Sequence, residues 1–356
     1  MTENFTEKPN RKIRFALAGC GRISHNHIAA IKQHRDDCSL VGVCDMDRTA
    51  RETAADMAGA RPYESLERML ADCDCDAVIL TTPSGLHARQ AVAAARAGRH
   101  VVTEKPMATR WEDGKRMLAA CEEAGVRLFV VKQNRHSHTL RLLKKAIRSG
   151  RFGRLYMMSV NVFWTRPQDY YDAARWRGTW QYDGGAFMNQ ASHYVDLVEW
   201  LVGPVDSVHA YTATLGRDIE AEDTGVMSLR WRNGALGSVN VTMLTYPKNL
   251  EGSITILGEK GTVRLAGGGL NEVQHWEFEG KNQDDEVVLH PMSQVPEGAA
   301  SQASGHAAYY ANVIKVLRGE EEPETDGRSG LKTLELLVAA YLSARDGRRV
   351  GLPLEF

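Results

Sequence analysis

The chain is 356 residues long, 43% apolar and 25% charged, with a formal net charge of −1. That length exceeds one ordinary core and asks for two domains, and the balance is that of a globular rather than a disordered protein. Near-neutral charge gives no field for nucleic acid or an anionic membrane, so an anionic ligand needs a local cluster of cations.

The first ten residues (MTENFTEKPN) are polar and acidic, unlike a secretory signal. Strand-like and helix-like segments then alternate. Ile13–Ala18, Leu40–Cys44, Ala77–Thr81, His100–Thr103 and Arg127–Lys132 are short apolar runs, as strands buried on both faces should be. Amphipathic, alanine-rich stretches separate them at Arg48–Ala58, Leu86–Ala97 and Trp111–Ala124. Gly98 and Gly125 fall where helix C-termini favour a left-handed residue. The alternation predicts a parallel sheet with right-handed crossovers over residues 1–133. All six cysteines lie in this part, and the closest pair, Cys73 and Cys75, is ill spaced for zinc. Reduced, mostly buried thiols in a cytoplasmic protein with no structural metal are expected.

From residue 134 to 356 the pattern changes. A helix over Ser137–Arg148 leads to strands at Leu155–Thr165, Val205–Leu215, Asp223–Trp231, Ala235–Thr245, Gly252–Leu257 and Gly261–Leu265. Asn233-Gly234 is a strong two-residue hairpin signal. A helix over Ala186–Leu201 interrupts the strands, and helices at His306–Leu317 and Gly330–Ala344 close the chain. This predicts an α+β domain on an antiparallel-rich sheet. Gly267–Gly305 is polar and aperiodic, and reads as a long excursion. No apolar run reaches the length of a membrane span.

The turn Gly19-Cys20-Gly21-Arg22-Ile23-Ser24 follows the first strand and opens a helix. In a dinucleotide fold the first glycine makes the tight turn and the second admits the pyrophosphate, while the helix N-terminus supplies N–H donors. Ser24, at the third position, is small enough for close packing. Asp45 ends the second strand, where a carboxylate accepts both adenosine ribose hydroxyls and repels a 2′-phosphate. NAD is therefore expected over NADP, with Arg48 the one neighbour able to tolerate the phosphate. Asp47 is the better cap for the next helix. Thr103-Glu104-Lys105-Pro106 ends the strand that starts at His100, where open parallel sheets bind ligands. A lysine half-buried there can be depressed toward neutrality and serve as a general base.

These motifs, with Thr82-Pro83-Ser84-Gly85-Leu86-His87 and the segment from Gly184-Gly185 through Asn189 and His193 to Asp196, resemble the successive signatures of the Gfo/Idh/MocA oxidoreductases. The resemblance covers nearly the whole chain. It implies an NAD-binding Rossmann domain, then a domain with a large, open, mostly antiparallel sheet whose pairing builds dimers and tetramers. The catalytic lysine falls on Lys105 and the catalytic histidine on His193. Cofactor contacts are implied at Gly19, Gly21, Arg22, Ile23, Asp45, Thr82, Ser84, His87, Glu104, Lys105, Trp176 and Arg177. The family usually carries an aspartate four residues before the histidine. Here that position is Asn189, which can bond a sugar hydroxyl but cannot share a proton, so acid–base work shifts to Lys105 and His193. On a regular helix Asn189, His193, Asp196 and Trp200 share one face, with Asp196 one turn deeper to orient the imidazole. A satisfied core histidine is the other reading.

Val130–Arg135, Asn161–Pro167 and Thr242–Gly252 further resemble the WlbA/WbpB-type dehydrogenases, which oxidise the 3-hydroxyl of UDP-N-acetylglucosaminuronic acid. That resemblance implies a nucleotide-sugar substrate, coupling to a sugar aminotransferase, and a role in diacetamido-uronic acids of bacterial surface lipopolysaccharide. Substrate contacts are expected at Lys105, Gln133, Arg166, Asn189, His193 and Tyr246. The stretch Trp164–Tyr182 holds three tryptophans, three tyrosines, Arg166, Arg175 and Arg177. It suits the anionic groups and rings of a nucleotide sugar, and suits a subunit interface equally. His306 either reaches the nucleotide or caps its helix. Two further readings keep the fold: a dehydrogenase of a free polyol, inositol or aldose, and a sugar sensor that binds NAD without turnover. Intact Glu104-Lys105-Pro106 and His193 favour catalysis.

Overall fold

The structure is a computed structural model that describes residues 11–267, 269–289 and 302–355. Six short strands build the first sheet: β1 (Ile13–Ala18), β2 (Cys38–Cys44), β3 (Arg61–Tyr63), β4 (Ala77–Leu80), β5 (His100–Thr103) and β6 (Leu128–Val130). Their order is β3-β2-β1-β4-β5-β6, and every pairing is parallel. The crossovers are α1 (Ser24–Gln33), α2 (Arg48–Ala58), α3 (Leu66–Asp72), α4 (His87–Arg96) and α5 (Trp111–Glu123). Strand order reverses between β1 and β4, which opens a crevice beyond their carboxyl ends beside Gly19. The small elements β3 and α3 escape sequence reading because β3 has three residues, two of them exposed, and so no periodicity. The six cysteines are free and buried.

The second sheet contains β7 (Leu155–Phe163), β8 (Val205–Ala213), β9 (Thr224–Trp231), β10 (Leu236–Thr242), β11 (Glu251–Gly258), β12 (Gly261–Ala266), β13 (Glu272–Phe278) and β14 (Val350–Gly351). Its order is β13-β12-β11-β7-β10-β9-β8-β14, and among the described residues β7–β10 is its one parallel pairing. The remaining helices are α6 (His138–Arg148), α7 (Gln168–Asp172), α8 (Ser192–Val202), α9 (Gln283–Leu289), α10 (Gln302–Leu317) and α11 (Gly327–Asp346). Residues of α6, α8 and α11 such as Leu143, Leu197 and Leu337 share a core with Val160, Val239 and Met227 on one face of this sheet. The other face is open, and by register it presents Met157, Tyr211, Val226 and Leu236 to solvent. The expected excursion is partly built: β13 and α9 lie within it, and residues 290–301 fall outside the described residues. No helix among the described residues is long and apolar enough to cross a membrane.

After the second sheet the chain returns to the first. Tyr309, Tyr310, Val313 and Ile314 of α10 pack with Phe15, Ile28 and Ile31, covering the parallel sheet from the far end of the sequence. A second close approach lies near the crevice. Gly85 donates its N–H to Tyr182 O at 3.0 Å, and a Cβ at Gly85 would collide with the Gln181 carbonyl. Gly85→Ala is therefore expected to cost about 2 kcal/mol through overpacking and to weaken cofactor binding by pushing the two segments apart. Thermal melting and NAD titration of the variant check this, and wild-type values for both contradict it.

Candidate active site

The glycine-rich turn fits a dinucleotide. Gly19 has φ +96°, and any Cβ there would lie 2.7 Å from the Thr81 and Thr82 backbone, so only glycine is tolerated. Gly21 has nothing within 4 Å of its Cβ position, leaving open space over the backbone for a pyrophosphate. Arg22 is exposed at the tip, Ile23 is half-buried, and the buried Ser24 hydroxyl donates to Gly21 O at 2.6 Å. Asp45 accepts from the Cys20 and Asp47 N–H groups at 2.7 and 2.9 Å, which holds its carboxylate against the turn at the end of β2. Asp47 caps α2 by accepting from Ala50 N–H at 2.9 Å. Arg48 pairs with Glu52 on its own helix.

The next two loops are tied together by His87. Its buried ring nitrogens lie 3.0 Å from Pro106 O and 2.9 Å from Thr82 O. His87 thus acts through the backbone it holds. Thr82 donates its hydroxyl to Gln90 at 2.5 Å, and the buried Ser84 opens the short helical turn that ends at Leu86.

Glu104 is the anchor of the third loop. Its Oε1 lies 3.1 Å from His27 Nε2 and 3.4 Å from His306 Nε2, and its Oε2 accepts from Lys105 N–H at 3.0 Å. A carboxylate only accepts, so His27 carries its proton on Nε2, and Tyr310 donates to His27 Nδ1 at 2.6 Å. Burial alone would raise the Glu104 pKa; the hydrogen bonds and charges of His27 and His306 outweigh it and hold it well below the usual range. His27, Glu104 and His306 have metal-ligand chemistry and lie within 4.8 Å of one another, but here they bond to each other. His306 therefore lies inside α10, after its first turn has begun at Gln302, with Nε2 against Glu104. Lys105 donates from Nζ to Asn189 O at 3.1 Å. Burial depresses its pKa, with help from Arg166 and against Glu104 and Asp183.

The second domain brings its residues in on an irregular segment. Ala186–Gln190 forms one π turn, and α8 starts at Ser192. The π turn shifts the helical phase, so the expected single face from Asn189 to Asp196 does not form. Asp196 does not orient His193. It is locked in a buried ion cluster, accepting from Arg135 at 2.7 and 2.6 Å and from the Thr333 hydroxyl at 2.8 Å, with Lys132 Nζ 3.0 Å away. Two cations compete better for a buried carboxylate than a neutral imidazole does. His193 instead meets Gln133, amide nitrogen to Nε2, at 3.0 Å, which places its proton on Nδ1. Burial, then the Lys105 charge, keep His193 neutral.

Asn189 donates from Nδ2 to the buried Asp183, whose other oxygen accepts from Gly178 N–H at 2.7 Å. Arg166 donates to Gln190 at 3.0 Å and packs 5.1 Å from the Trp164 ring centroid and 5.5 Å from that of Tyr170. Burial and the Arg22 charge lower the Arg166 pKa, against Tyr170 and Tyr171. Arg177 stacks on Tyr170 at 4.3 Å and on Trp176 at 5.6 Å. Tyr246 is 95% exposed between β10 and β11, outside the Lys105–His193 group. Sequence reading missed His27, Asp183 and Tyr310. Asp183 carried one signal, its place directly before Gly184-Gly185.

Residues 13–132 match the NAD-binding Rossmann fold of the Gfo/Idh/MocA oxidoreductases, and residues 144–352 match their C-terminal alpha/beta domain. The chain belongs to this family. Among solved structures it is similar to the WlbA dehydrogenase from Bordetella pertussis in complex with NADH and UDP-GlcNAcA, at 65% identity and TM-score 0.90 over 97% of this chain and 99% of that one. It is also similar to the WlbA dehydrogenase from Chromobacterium violaceum in complex with the same two molecules, at 62% identity and TM-score 0.93 over the whole of both chains. D-apiose dehydrogenase of Paraburkholderia graminis is 28% identical over 96% of this chain and 90% of its own length.

Histidines held away from water make the fold acid-sensitive. His27, His87 and His193 all sit below the ordinary value of 6.5, chiefly through burial, and Glu104 sits below its own. Below pH 6.5 the unfolded chain takes protons that the native histidines refuse, and further down it takes one that Glu104 refuses. Both effects favour unfolding as pH falls. The melting temperature is expected to drop from about pH 7 to about pH 5. A flat profile over that range contradicts neutral burial.

Proposed function

We propose that this protein uses NAD to oxidise the 3-hydroxyl of UDP-N-acetylglucosaminuronic acid to the 3-keto sugar, with Lys105 as general base. Residues 1–133 hold the cofactor and residues 134–356 the sugar. The carrying observation is the pairing of a half-buried, pKa-depressed Lys105, fixed by the Asn189 carbonyl, with a neutral His193, in a chain alike from end to end to two dehydrogenases bound to NADH and UDP-GlcNAcA.

When bound, NAD supplies a hydride acceptor. The protein's part is position and proton transfer. Neutral Lys105 takes the hydroxyl proton at Nζ, and Asn189 O steadies that nitrogen. His193 presents Nδ1–H to a sugar oxygen, its tautomer set by Gln133. Arg22 and Arg166 supply the positive charge an anionic nucleotide sugar needs, and Arg177 with Trp176 lies on the cofactor side. The open face of the second sheet, which exposes Met157, Tyr211, Val226 and Leu236 among polar residues, supports a homo-oligomer, a tetramer in this reading. The 3-keto product suits a sugar aminotransferase, in cytoplasmic supply of surface polysaccharide.

Lys105→Ala is expected to lower turnover about a thousandfold while NAD still binds. Near-normal turnover in that variant sinks the role given to Lys105. Mixing the wild-type protein with NAD and a panel of sugars should form NADH with the UDP-uronate. Reduction by a free polyol or aldose instead overturns the substrate, and binding without reduction marks a sensor.

A further inference from the structure

Asp183 lies behind the site, 2% exposed, on the segment that precedes the π turn. Its two oxygens are spoken for: one accepts from Gly178 N–H at 2.7 Å, and the other accepts from Asn189 Nδ2. An ionised carboxylate accepts only, so the Asn189 amide must turn its nitrogen inward, and its oxygen faces the other way. That oxygen takes no hydrogen bond among the described residues. The backbone carbonyl of the same residue receives Lys105 Nζ at 3.1 Å.

We propose that Asp183 is a positioning residue for the oxidation: it aims the Asn189 amide oxygen at the cleft as an acceptor for a sugar hydroxyl, and its charge is a counter-charge to Lys105. This rests on Lys105 being the base.

The electrostatics agree with the geometry. Burial raises the Asp183 pKa to about 6, against its hydrogen bonds and the charges of Lys105 and Arg177. Lys105 in turn feels Glu104 and Asp183 in favour of its charged form, and burial and Arg166 against it; its charge also bears on Lys132 and His193. Protonated, Asp183 would become a donor toward Asn189. The amide would then rotate and show N–H groups to the cleft, the wrong polarity for a hydroxyl that is to give up its proton.

Asp183→Asn imitates that state without removing atoms. The new side-chain oxygen stays with the Gly178 N–H, its N–H groups face Asn189, and Asn189 must flip. Binding of UDP-N-acetylglucosaminuronic acid to the NADH-loaded enzyme, read by calorimetry, is expected to weaken about tenfold, the worth of one lost hydrogen bond. The acid limb of kcat/KM is expected to move about one unit to lower pH, because Lys105 loses a charge that favours its protonated form. Asn189→Ala should weaken binding by the same factor and leave the limb in place, and the double variant should bind no worse than either single one. A purely structural role for Asp183 would lower activity equally at every pH. Unchanged sugar binding in Asn189→Ala overturns the acceptor, and that variant removes no buried charge, so it decides the point even if Asp183→Asn does not fold. An unmoved limb in Asp183→Asn, alongside an inactive Lys105→Ala, overturns the counter-charge alone. Full turnover in Lys105→Ala overturns the base and the counter-charge together.

Discussion

One buried carboxylate holds the catalytic corner of this molecule in place. Glu104 sits at the end of β5 and takes hydrogen bonds from α1 through His27, from α10 through His306, and from the Lys105 backbone. An anion withdrawn from water costs several kcal/mol unless its lone pairs are filled, so none of these donors can be lost cheaply. The constraint runs outward. Tyr310 fixes the His27 tautomer, and the same tyrosine, with Tyr309, docks α10 on the parallel sheet. The lysine next in sequence is thereby delivered to the crevice by a rigid support.

Charge in the crevice is arranged in two tiers. Deep inside, Asp196 absorbs Lys132 and Arg135, and Glu104 is answered by His27 and His306. In the outer tier the Lys105 charge is opposed by Asp183 and reinforced by Arg166, and the Arg166 pKa in turn is lowered by burial and the Arg22 charge. The inner tier is fully paired and sets geometry. The outer tier keeps positive charge for an anionic ligand, which is how a chain with a net charge of −1 can recruit one. Like charges and burial together hold Lys105 and His193 below their ordinary values, as proton transfer near neutrality requires.

The π turn at Ala186–Gln190 is the local irregularity on which the second half of the site depends. By breaking the helical phase it lets one residue, Asn189, meet Lys105 with its backbone and Asp183 with its side chain. A regular helix would spend that carbonyl on its own ladder. Gly85 does the matching work on the other side, because its missing Cβ lets the Gln181–Tyr182 segment lie against the cofactor loop.

Local chemistry wrote much of this into the sequence. Gly19 must be glycine because its turn has φ +96° and no room for a side chain, Asp47 must cap, and alternating apolar runs must form strands and crossovers. Such features depend on a residue and its neighbours in the chain, and the same holds for the place of Lys105 at a strand's carboxyl end. What only the tertiary structure decided were partners far apart in sequence. Asp196 was readable as a helper of His193, but competing cations from Lys132 and Arg135 claimed it. His306 was readable as a cap, but the fold of α10 carried it to Glu104, 202 residues away. Asp183 had no periodicity to betray it, since its role comes from the π turn that presents Asn189. Long-range pairing is settled by which buried charge finds the strongest partner, and no local pattern encodes that competition.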